Sequence, residues 1–307
     1  MKKQEFFIPC EGENLHCIEW IPEDRPRAVL QIVHGMVEYI DRYDDFARYL
    51  CSQGIAVVGH DHPGHGKTAA ENDLGYIRKE KGSLLLVNCA YSVTKYIKEN
   101  YPDVKNFILG HSMGSFVVRR YLTAYSDKVA GAVIVGTGTP PGAVLSLGYG
   151  LANLLSKLKG ERHPSKFLTN LSFSGYNSRF PKEEGEHAWI SRDREIVRKY
   201  DSDPFCTYTF TVSGFCVLYE TLMFLSKKTD FDRIRKDLPV LVTAGGEDPV
   251  GSYGKGPREL YELFKDRGVS DAELKLYEGG RHEIINETDR DSVYRDLCDW
   301  ICARIEA

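Results

Sequence analysis

The stretch Asn106-Phe-Ile-Leu-Gly-His-Ser-Met-Gly-Ser-Phe-Val-Val118 decides the fold of this chain. An apolar run breaks at a Gly-His-Ser-Met-Gly pentapeptide and then resumes with helical character, which predicts a strand, a sharp turn and a helix. Gly110 and Gly114 lack the side chains that would collide in so tight a turn, so the Ser112 hydroxyl is expected to project above the sheet edge. The pattern indicates a nucleophile elbow, and the alternative is an ordinary glycine-rich turn between a strand and a helix.

The composition is that of a large folded domain. The chain has 307 residues, of which 42% are hydrophobic and 27% are charged, so it can bury a substantial core and is not expected to be disordered. Its length suits one α/β domain that carries an insertion. The formal net charge is −4 and no stretch concentrates Lys or Arg, which argues against a nucleic-acid partner.

The amino terminus and the cysteines favour a cytoplasmic protein. The chain begins with a short strand-like run and shows neither the long apolar core nor the cleavage site of a signal peptide. Its eight cysteines are scattered without the paired spacing of a metal site, and a chain of this length does not need disulfides to hold its core. We therefore expect reduced, mostly buried thiols.

Strand and helix patterns alternate along residues 1–136 and again along residues 237–307. After a predicted amino-terminal hairpin, nearly continuous apolar runs at residues 28–33 and 55–58 have the pattern of parallel strands buried on both faces. Helical patterns such as residues 83–101 separate the strands. The alternation predicts a mostly parallel sheet with helices on both faces.

Residues 137–236 interrupt this alternation and are predicted to form a cap. They mix Gly, Pro and aromatic residues with short helical patterns. Their two apolar segments do not satisfy the requirements of a membrane span, because residues 143–155 are too short and residues 205–225 are too polar. We expect a lid over an apolar pocket, or ordinary packed helices. Five aromatic or aliphatic residues are candidates for an acyl-binding pocket, with ordinary packing as the alternative: Tyr149, Leu154, Phe205, Phe210 and Phe215.

Two later residues can complete a catalytic triad with Ser112. A serine hydroxyl needs a base to take its proton and a third group to orient that base. Asp248 and His282 each follow a predicted strand, and the carboxyl ends of parallel strands meet at one edge of a sheet. Glu247 and Asp61 are the alternatives for the acid. The alternative histidines come too early in the chain for the order Ser, Asp, His: His34, His60, His62, His65 and His111.

Attack on an ester carbonyl also requires donors for the negative oxygen that develops. Two backbone N–H groups are predicted to supply them. Met113 follows the nucleophile at the start of a helix, and Met36 follows His34-Gly35 at the end of the third strand. The alternative for Met36 is apolar packing near the edge of the sheet.

The loop His60-Asp-His-Pro-Gly-His-Gly-Lys67 carries several groups that can bind metals. A zinc or iron site is therefore an alternative there, but two glycines and a proline fit tight turn packing better. We predict no metal, and the sequence leaves any role of this loop beyond packing open.

The chain resembles the monoacylglycerol lipase and lysophospholipase group of α/β-hydrolases. Six similar motifs follow one another along nearly the whole chain: His34-Gly-Met-Val-Glu38, Asp61-His-Pro-Gly-His-Gly66, Gly110-His-Ser-Met-Gly114, Asp203-Pro204, Glu247-Asp-Pro249 and His282-Glu-Ile-Ile-Asn-Glu287. The resemblance implies an α/β-hydrolase fold, with an eight-stranded, mostly parallel sheet flanked by helices and a mainly helical cap after strand 6. Many relatives carry Gly where Val37 stands and His where Tyr39 stands, and the cap diverges most, so the differences fall on the pockets that select the substrate rather than on the catalytic residues.

Taken together, the motifs predict a serine hydrolase that cleaves a carboxylic ester of one fatty acyl chain, such as a monoacylglycerol or a lysophospholipid. An acyl-enzyme at Ser112 requires no metal or organic cofactor. The same triad would serve a carboxylesterase, a thioesterase or an aminopeptidase, and a non-enzymatic binding protein is a third hypothesis on the same fold. The predicted partner is a lipid or ester substrate. Transient contact between the cap and a membrane surface, and the oligomeric state, stay open.

Overall fold

The computed structural model describes residues 1–70 and 72–305. Within these ranges eight strands form one sheet: β1 (Lys2–Cys10), β2 (Glu13–Ile21), β3 (Ala28–Val33), β4 (Ile55–His60), β5 (Lys105–His111), β6 (Gly131–Val135), β7 (Val240–Gly245) and β8 (Ala272–Tyr277). The order across the sheet is β1-β2-β4-β3-β5-β6-β7-β8. Strands β3 to β8 pair in parallel, whereas β1 and β2 form an antiparallel hairpin that joins the sheet along β4.

The α helices of the described ranges are α1 (Asp44–Ser52), α2 (Gly82–Asn100), α3 (Met113–Tyr125), α4 (Gly142–Lys159), α5 (Lys166–Phe173), α6 (Arg194–Ser202), α7 (Val212–Ser226), α8 (Lys255–Asp266) and α9 (Arg290–Ile305). Short 3₁₀ helices add single turns at Ile40–Tyr43, Ser126–Lys128, Lys182–Glu184, Ala188–Ile190, Thr229–Arg233 and Ile284–Asn286. The predicted eight-stranded, mostly parallel sheet flanked by helices is confirmed.

Strand β3 shows why the central strands are almost entirely apolar. Val29 and Val33 face the hydrophobic cluster that contains residues of α2, α3 and α8. Leu30 and Ile32 face the opposite cluster, which contains residues of α1 and α9. Since side chains alternate between the two faces of a sheet, a strand covered on both sides needs an apolar residue at almost every position.

The segment between β6 and β7 holds helices α4 to α7, and we refer to residues 137–236, the range predicted from the sequence, as the cap. The apolar stretch at residues 205–225 is helical only from Val212, because the Thr211 side chain accepts the N–H of Gly214 and caps α7. In the described part of the chain, no helix is long and apolar enough to cross a membrane. The eight cysteines are free thiols, of which only Cys302 is not fully buried.

Candidate active site

The turn between β5 and α3 has the geometry predicted for a nucleophile elbow. Strand β5 ends at His111, α3 begins at Met113, and Ser112 between them has a φ of 52° and a ψ of −119°. Residues other than glycine rarely adopt such a positive φ, so the contacts around the turn hold Ser112 in this conformation. A Cβ atom at Gly114 would overlap the carbonyl of Val33, which explains the glycine there. The serine is therefore presented at the carboxyl edge of the sheet.

The structure brings the predicted base and acid together at the same edge. Nδ1 of His282 lies 3.0 Å from Oδ1 of Asp248, and the two side chains are 3% and 0% exposed. The ring of His282 packs over the end of β6, 3.1 Å from the position of a Cβ atom at Gly136. The N–H of Ser112 donates to the carbonyl oxygen of Val135, the residue before Gly136, at 3.0 Å. His282 and Ser112 also line one cavity.

The alternative acids lie elsewhere. Glu247 is about half exposed and its carboxylate lies 3.9 Å from Arg179. Asp61 is buried beneath the loop that follows β4, where it accepts the N–H groups of Ile40 at 2.7 Å and Lys67 at 2.9 Å. Its contacts are those of a residue that braces a loop.

Both predicted oxyanion donors border the cavity. Met113 is the first residue of α3, so its N–H is one of the helix-terminal groups that have no partner inside the helix. Met36 lies in the turn that follows β3. Neither N–H donates a hydrogen bond to another residue in the described part of the chain. Their role as the oxyanion hole stays a prediction.

A buried charged network lies directly beneath the elbow. Nδ1 of His111 lies 2.8 Å from Glu38, and Arg42 binds Glu283, the neighbour of His282, with two hydrogen bonds of 2.7 and 2.8 Å. Burial alone would lower the pKa of His111, but the Glu38 carboxylate outweighs it and raises that pKa. Arg42 likewise outweighs burial and lowers the pKa of Glu283 to about 2. The network joins the turn after β3, the elbow and the loop of the base.

The cavity above Ser112 has a volume of about 810 Å³ and lies between the sheet and the cap. Its walls are mainly apolar, and they include Phe116 of α3 and Leu145, Leu151, Phe173, Leu218 and Leu222 of the cap. Polar side chains of the cap, among them Asn177, His187 and Tyr200, also reach it. A cavity of this size and character suits a small molecule with a long apolar portion and a few polar groups.

None of the five predicted acyl-pocket residues lines this cavity. Phe210 and Phe215 are fully buried in the hydrophobic core, where their rings pack against each other 5.5 Å apart. Phe205 packs on Tyr39, and Leu154 is 54% exposed on the outer surface of α4. Tyr149 is partly buried beside the core cluster. Apolarity alone does not tell a pocket wall from ordinary packing.

The cavity residues that sequence reasoning missed share a signal on helix α4. Val144, Leu145, Gly148 and Leu151 line the cavity and recur at the three- to four-residue spacing of one helical face. Tyr149 belongs to another face of the same helix, whereas Leu154 lies one turn beyond Leu151, where α4 no longer borders the cavity. The periodicity would have separated Tyr149 from the cavity residues, but only contact with the core shows which face is turned inward.

The loop after β4 contributes to a cluster of buried histidines. His34, His60, His62 and His65 are all fully buried, with neighbouring rings such as those of His34 and His62 4.3 Å apart. Burial lowers the pKa of each, to about 4 for His60 and His65. Within residues 1–70 and 72–305, no group of three His, Cys, Asp or Glu side chains is arranged to hold a metal ion.

Comparisons with known proteins place the chain among hydrolases. A sequence model of the hydrolase family described as serine aminopeptidase, S33 matches residues 24–289. The chain is 28% identical to the monoglyceride lipase homolog of Monkeypox virus, over 96% of this chain and 97% of that protein. It is 26% identical to the monoglyceride lipase of Mus musculus, over 98% of this chain and 90% of that protein.

A solved structure extends the likeness to three dimensions. The thermostable carboxyl esterase from Bacillus coagulans, in complex with glycerol, matches with a TM-score of 0.91 and 27% sequence identity, over 99% of both chains. The elbow, the sheet and the family match together agree with the resemblance read from the motifs. The chain therefore belongs to the serine aminopeptidase, S33 family of hydrolases, and within it to a group that resembles monoacylglycerol lipases.

Proposed function

We propose that this chain is a serine hydrolase that cleaves the ester of a single fatty acyl chain, as in a monoacylglycerol or a lysophospholipid. The observation that carries the proposal is the position of Ser112 and the Asp248–His282 pair beneath a mainly apolar cavity. Relatives described as monoglyceride lipases over nearly the whole chain, and an esterase structure that holds glycerol, support the same substrate class.

The proposed reaction follows from the roles that these groups can take. Ser112 Oγ attacks the ester carbonyl while Nε2 of His282 takes its proton, and Asp248 keeps Nδ1 of His282 protonated and oriented. The N–H groups of Met36 and Met113 stabilise the oxyanion. Collapse of the tetrahedral intermediate breaks the C–O bond, and the alcohol leaves with the proton from His282. Water then attacks the acyl-enzyme by the same steps and releases the fatty acid.

An aminopeptidase is the second candidate, because the matching family carries that description. Such an enzyme binds the free amino group of its substrate, and a carboxylate would be the natural partner. Glu38 and Glu283 border the cavity, but their carboxylates are engaged by Arg42. The mainly apolar walls also favour an acyl chain over a peptide.

Substrate profiling separates these candidates. The purified chain would be assayed with monoacylglycerols of 8 to 18 carbons, lysophosphatidylcholine, p-nitrophenyl acetate and amino-acid naphthylamides, each with Ser112→Ala in parallel. We expect the highest kcat/KM with a medium- or long-chain monoacyl ester, abolished in Ser112→Ala. A preference for acetyl esters or for naphthylamides would reject the lipase proposal.

The outer surface of the cap supports a second part of the proposal, a transient contact with lipid surfaces. Leu154 and Leu158 of α4 are 54% and 71% exposed, and Phe167 and Leu171 of α5 are also more than half exposed. Val144 and Leu147 are exposed as well and border the cavity. Exposed apolar side chains on the cap, some of them beside the cavity, suit delivery of an apolar substrate from a membrane. We also propose that the protein is cytoplasmic and that the cap comprises residues 137–236.

A further inference from the structure

The turn that carries Met36 contains a strained residue. Val37 has a φ of 56°, in the left-handed region, although its β-branched side chain is poorly suited to that conformation. Its side chain is largely buried and borders the cavity next to Met36. A residue keeps such a conformation only when the contacts around it prevent relaxation.

On the core side, the turn is closed by Glu38. Its carboxylate accepts the N–H of Gly35 and binds Nδ1 of His111 at 2.8 Å. These contacts fix the two ends of the turn, but they do not touch the backbone of Val37 itself.

On the cap side, two tyrosine hydroxyls complete the restraint. The hydroxyl of Tyr200, a buried residue of α6, donates to the carbonyl oxygen of Val37 at 3.1 Å. The hydroxyl of Tyr39 donates in the opposite direction, from the turn to Oδ2 of Asp203 at 2.7 Å. Oδ1 of Asp203 accepts the N–H of Phe205, which holds the carboxylate in place. The carboxyl end of α6 is thus bonded to the turn at two points.

We propose that Tyr200 and the Tyr39–Asp203 pair are positioning residues, through which the cap holds the strained Val37 turn in the conformation that aims the N–H of Met36 at the reacting carbonyl. The inference rests on the proposed function, since it assigns the oxyanion role to Met36. It goes further by making the oxyanion hole depend on the cap: if α6 moves away from the turn, the restraint on Val37 is lost.

The kinetic consequence is a fall in kcat rather than a rise in KM. An oxyanion donor acts on the transition state, and loss of one donor typically lowers kcat about 100- to 1000-fold. A donor that is present but poorly aligned should lower kcat by a smaller factor. We expect Tyr200→Phe to lower kcat roughly tenfold for p-nitrophenyl butyrate, and Tyr39→Phe about threefold, with KM changed less than twofold in each.

The strain at Val37 provides a rescue experiment. Glycine adopts a positive φ without steric cost, so a turn with Val37→Gly does not need the cap to hold it. In the Tyr200→Phe background, Val37→Gly should therefore restore kcat to within about threefold of the Val37→Gly single variant. A Tyr200 that matters only for the packing of the cap would not be rescued by a change in the turn.

Hydrogen exchange tests the restraint without any substrate. Tyr200→Phe should accelerate amide exchange at least tenfold in a peptide that covers residues 34–39. The matched control is Tyr101→Phe, which removes a 2.7 Å bond to Glu19 outside the cavity and should leave this exchange unchanged. Unchanged exchange in Tyr200→Phe, or accelerated exchange with a kcat that Val37→Gly does not restore, would overturn the proposal. If the wild-type chain hydrolyses no ester but Tyr200→Phe still accelerates the exchange, only the proposed function is rejected.

Discussion

The two walls of the cavity differ in how firmly their side chains are held. On the sheet side, Asp248 and His282 are almost fully buried and bonded to each other, and His111 is fixed by Glu38. On the cap side, Leu147 and Leu171 border the same cavity but are 67% and 51% exposed, and they make only apolar contacts. One wall is a network of hydrogen bonds and charges, and the other, apart from polar residues such as Tyr200, is mainly a set of partly exposed apolar side chains.

This difference assigns separate tasks to the two walls. Groups that move protons must be held within a fraction of an ångström, which a buried polar network can do. Apolar contacts are non-directional and tolerate substitution, so they can change the preferred substrate without affecting the reaction. Changes in the sheet wall should therefore affect every ester equally, whereas changes in the apolar part of the cap wall should affect some esters more than others.

The largest effect is expected from the acid of the triad. Asp248→Asn keeps the size of the side chain, but it no longer holds the tautomer of His282 that can take the proton of Ser112, so kcat should fall about 10⁴-fold for all acyl chain lengths. Steady-state kinetics with an octanoyl and a palmitoyl monoester measure this loss. Glu247→Gln, the neighbouring exposed carboxylate, is the control and should stay within about twofold of the wild type. An Asp248→Asn loss that depends on chain length would break the division between the walls.

The histidine cluster should make the sheet wall sensitive to acid. The pKa of His60 is about 4 in the folded chain and about 6.5 when unfolded, so the unfolded state binds more protons between these values and stability falls as the pH is lowered through them. His60→Phe removes this loss, and between pH 7.5 and 5 it should gain about 2 kcal/mol relative to the wild type. Denaturant unfolding at both pH values measures the difference. A difference in stability between His60→Phe and the wild type that is the same at pH 7.5 and pH 5 would contradict this account.

Other histidines modify the pH dependence in predictable directions. The pKa values of His34, His62 and His65 are also lowered, so these residues add to the loss of stability on acidification. His16 and His111 act in the opposite sense: burial is outweighed by Asp61 and by Glu38, their pKa values are raised, and they stabilise the folded state most below about pH 6.5. Because the stabilisation by His16 and His111 is already largely present at pH 6.5, the lowered pKa values dominate, and the folded state should become less stable between about pH 6.5 and 5.

A smaller effect is expected from a change in the cap wall. Leu151 of α4 lines the cavity, and Leu151→Trp should shorten the space for the acyl chain. We expect kcat/KM for a palmitoyl monoester to fall about tenfold relative to an octanoyl monoester. Leu154→Trp adds the same ring one turn along the helix, outside the cavity, and should leave the ratio unchanged. Equal losses for both esters in Leu151→Trp would place this residue outside the acyl site.

The smallest effect concerns the outer surface of the cap. Replacing both Leu158 and Phe167 with Ser removes two exposed apolar side chains that do not line the cavity. Binding to phosphatidylcholine vesicles, measured by sedimentation, should weaken about fivefold while hydrolysis of a soluble ester stays unchanged. Vesicle binding that is as strong as in the wild type would reject the lipid-contact proposal.

The sheet wall was predictable because its signals are local. The continuous apolar runs mark strands buried on both faces, and the glycines around Ser112 mark a turn that no larger residue could form. Asp248 and His282 were assigned from their places after two later strands, because parallel strands end at a common edge. The roles of these residues and of Met36 and Met113 stay predictions until the kinetics are measured.

The cap wall was not predictable, since its signals depend on long-range contacts. Phe210 and Phe215 are as apolar as any pocket residue, yet they pack inward because α7 and the segment just before it lie against the core. The hydrogen bond between Tyr200 and the carbonyl oxygen of Val37 joins residues 163 positions apart, and no local sequence pattern indicates it. The resemblance to known hydrolases marked Val37 as unusual, but its positive φ, and therefore its strain, required the structure.

The central claim is that Ser112 is the nucleophile of an acyl transfer, and covalent labelling tests it most directly. The intact chain would be treated with a fluorophosphonate and its mass measured, followed by peptide mapping, with Ser112→Ala and the remote Ser292→Ala treated in parallel. The account predicts one adduct per chain on the peptide that contains Ser112, present in Ser292→Ala and absent in Ser112→Ala. Wild-type chain that stays unlabelled, or Ser112→Ala that labels as the wild type does, would contradict it.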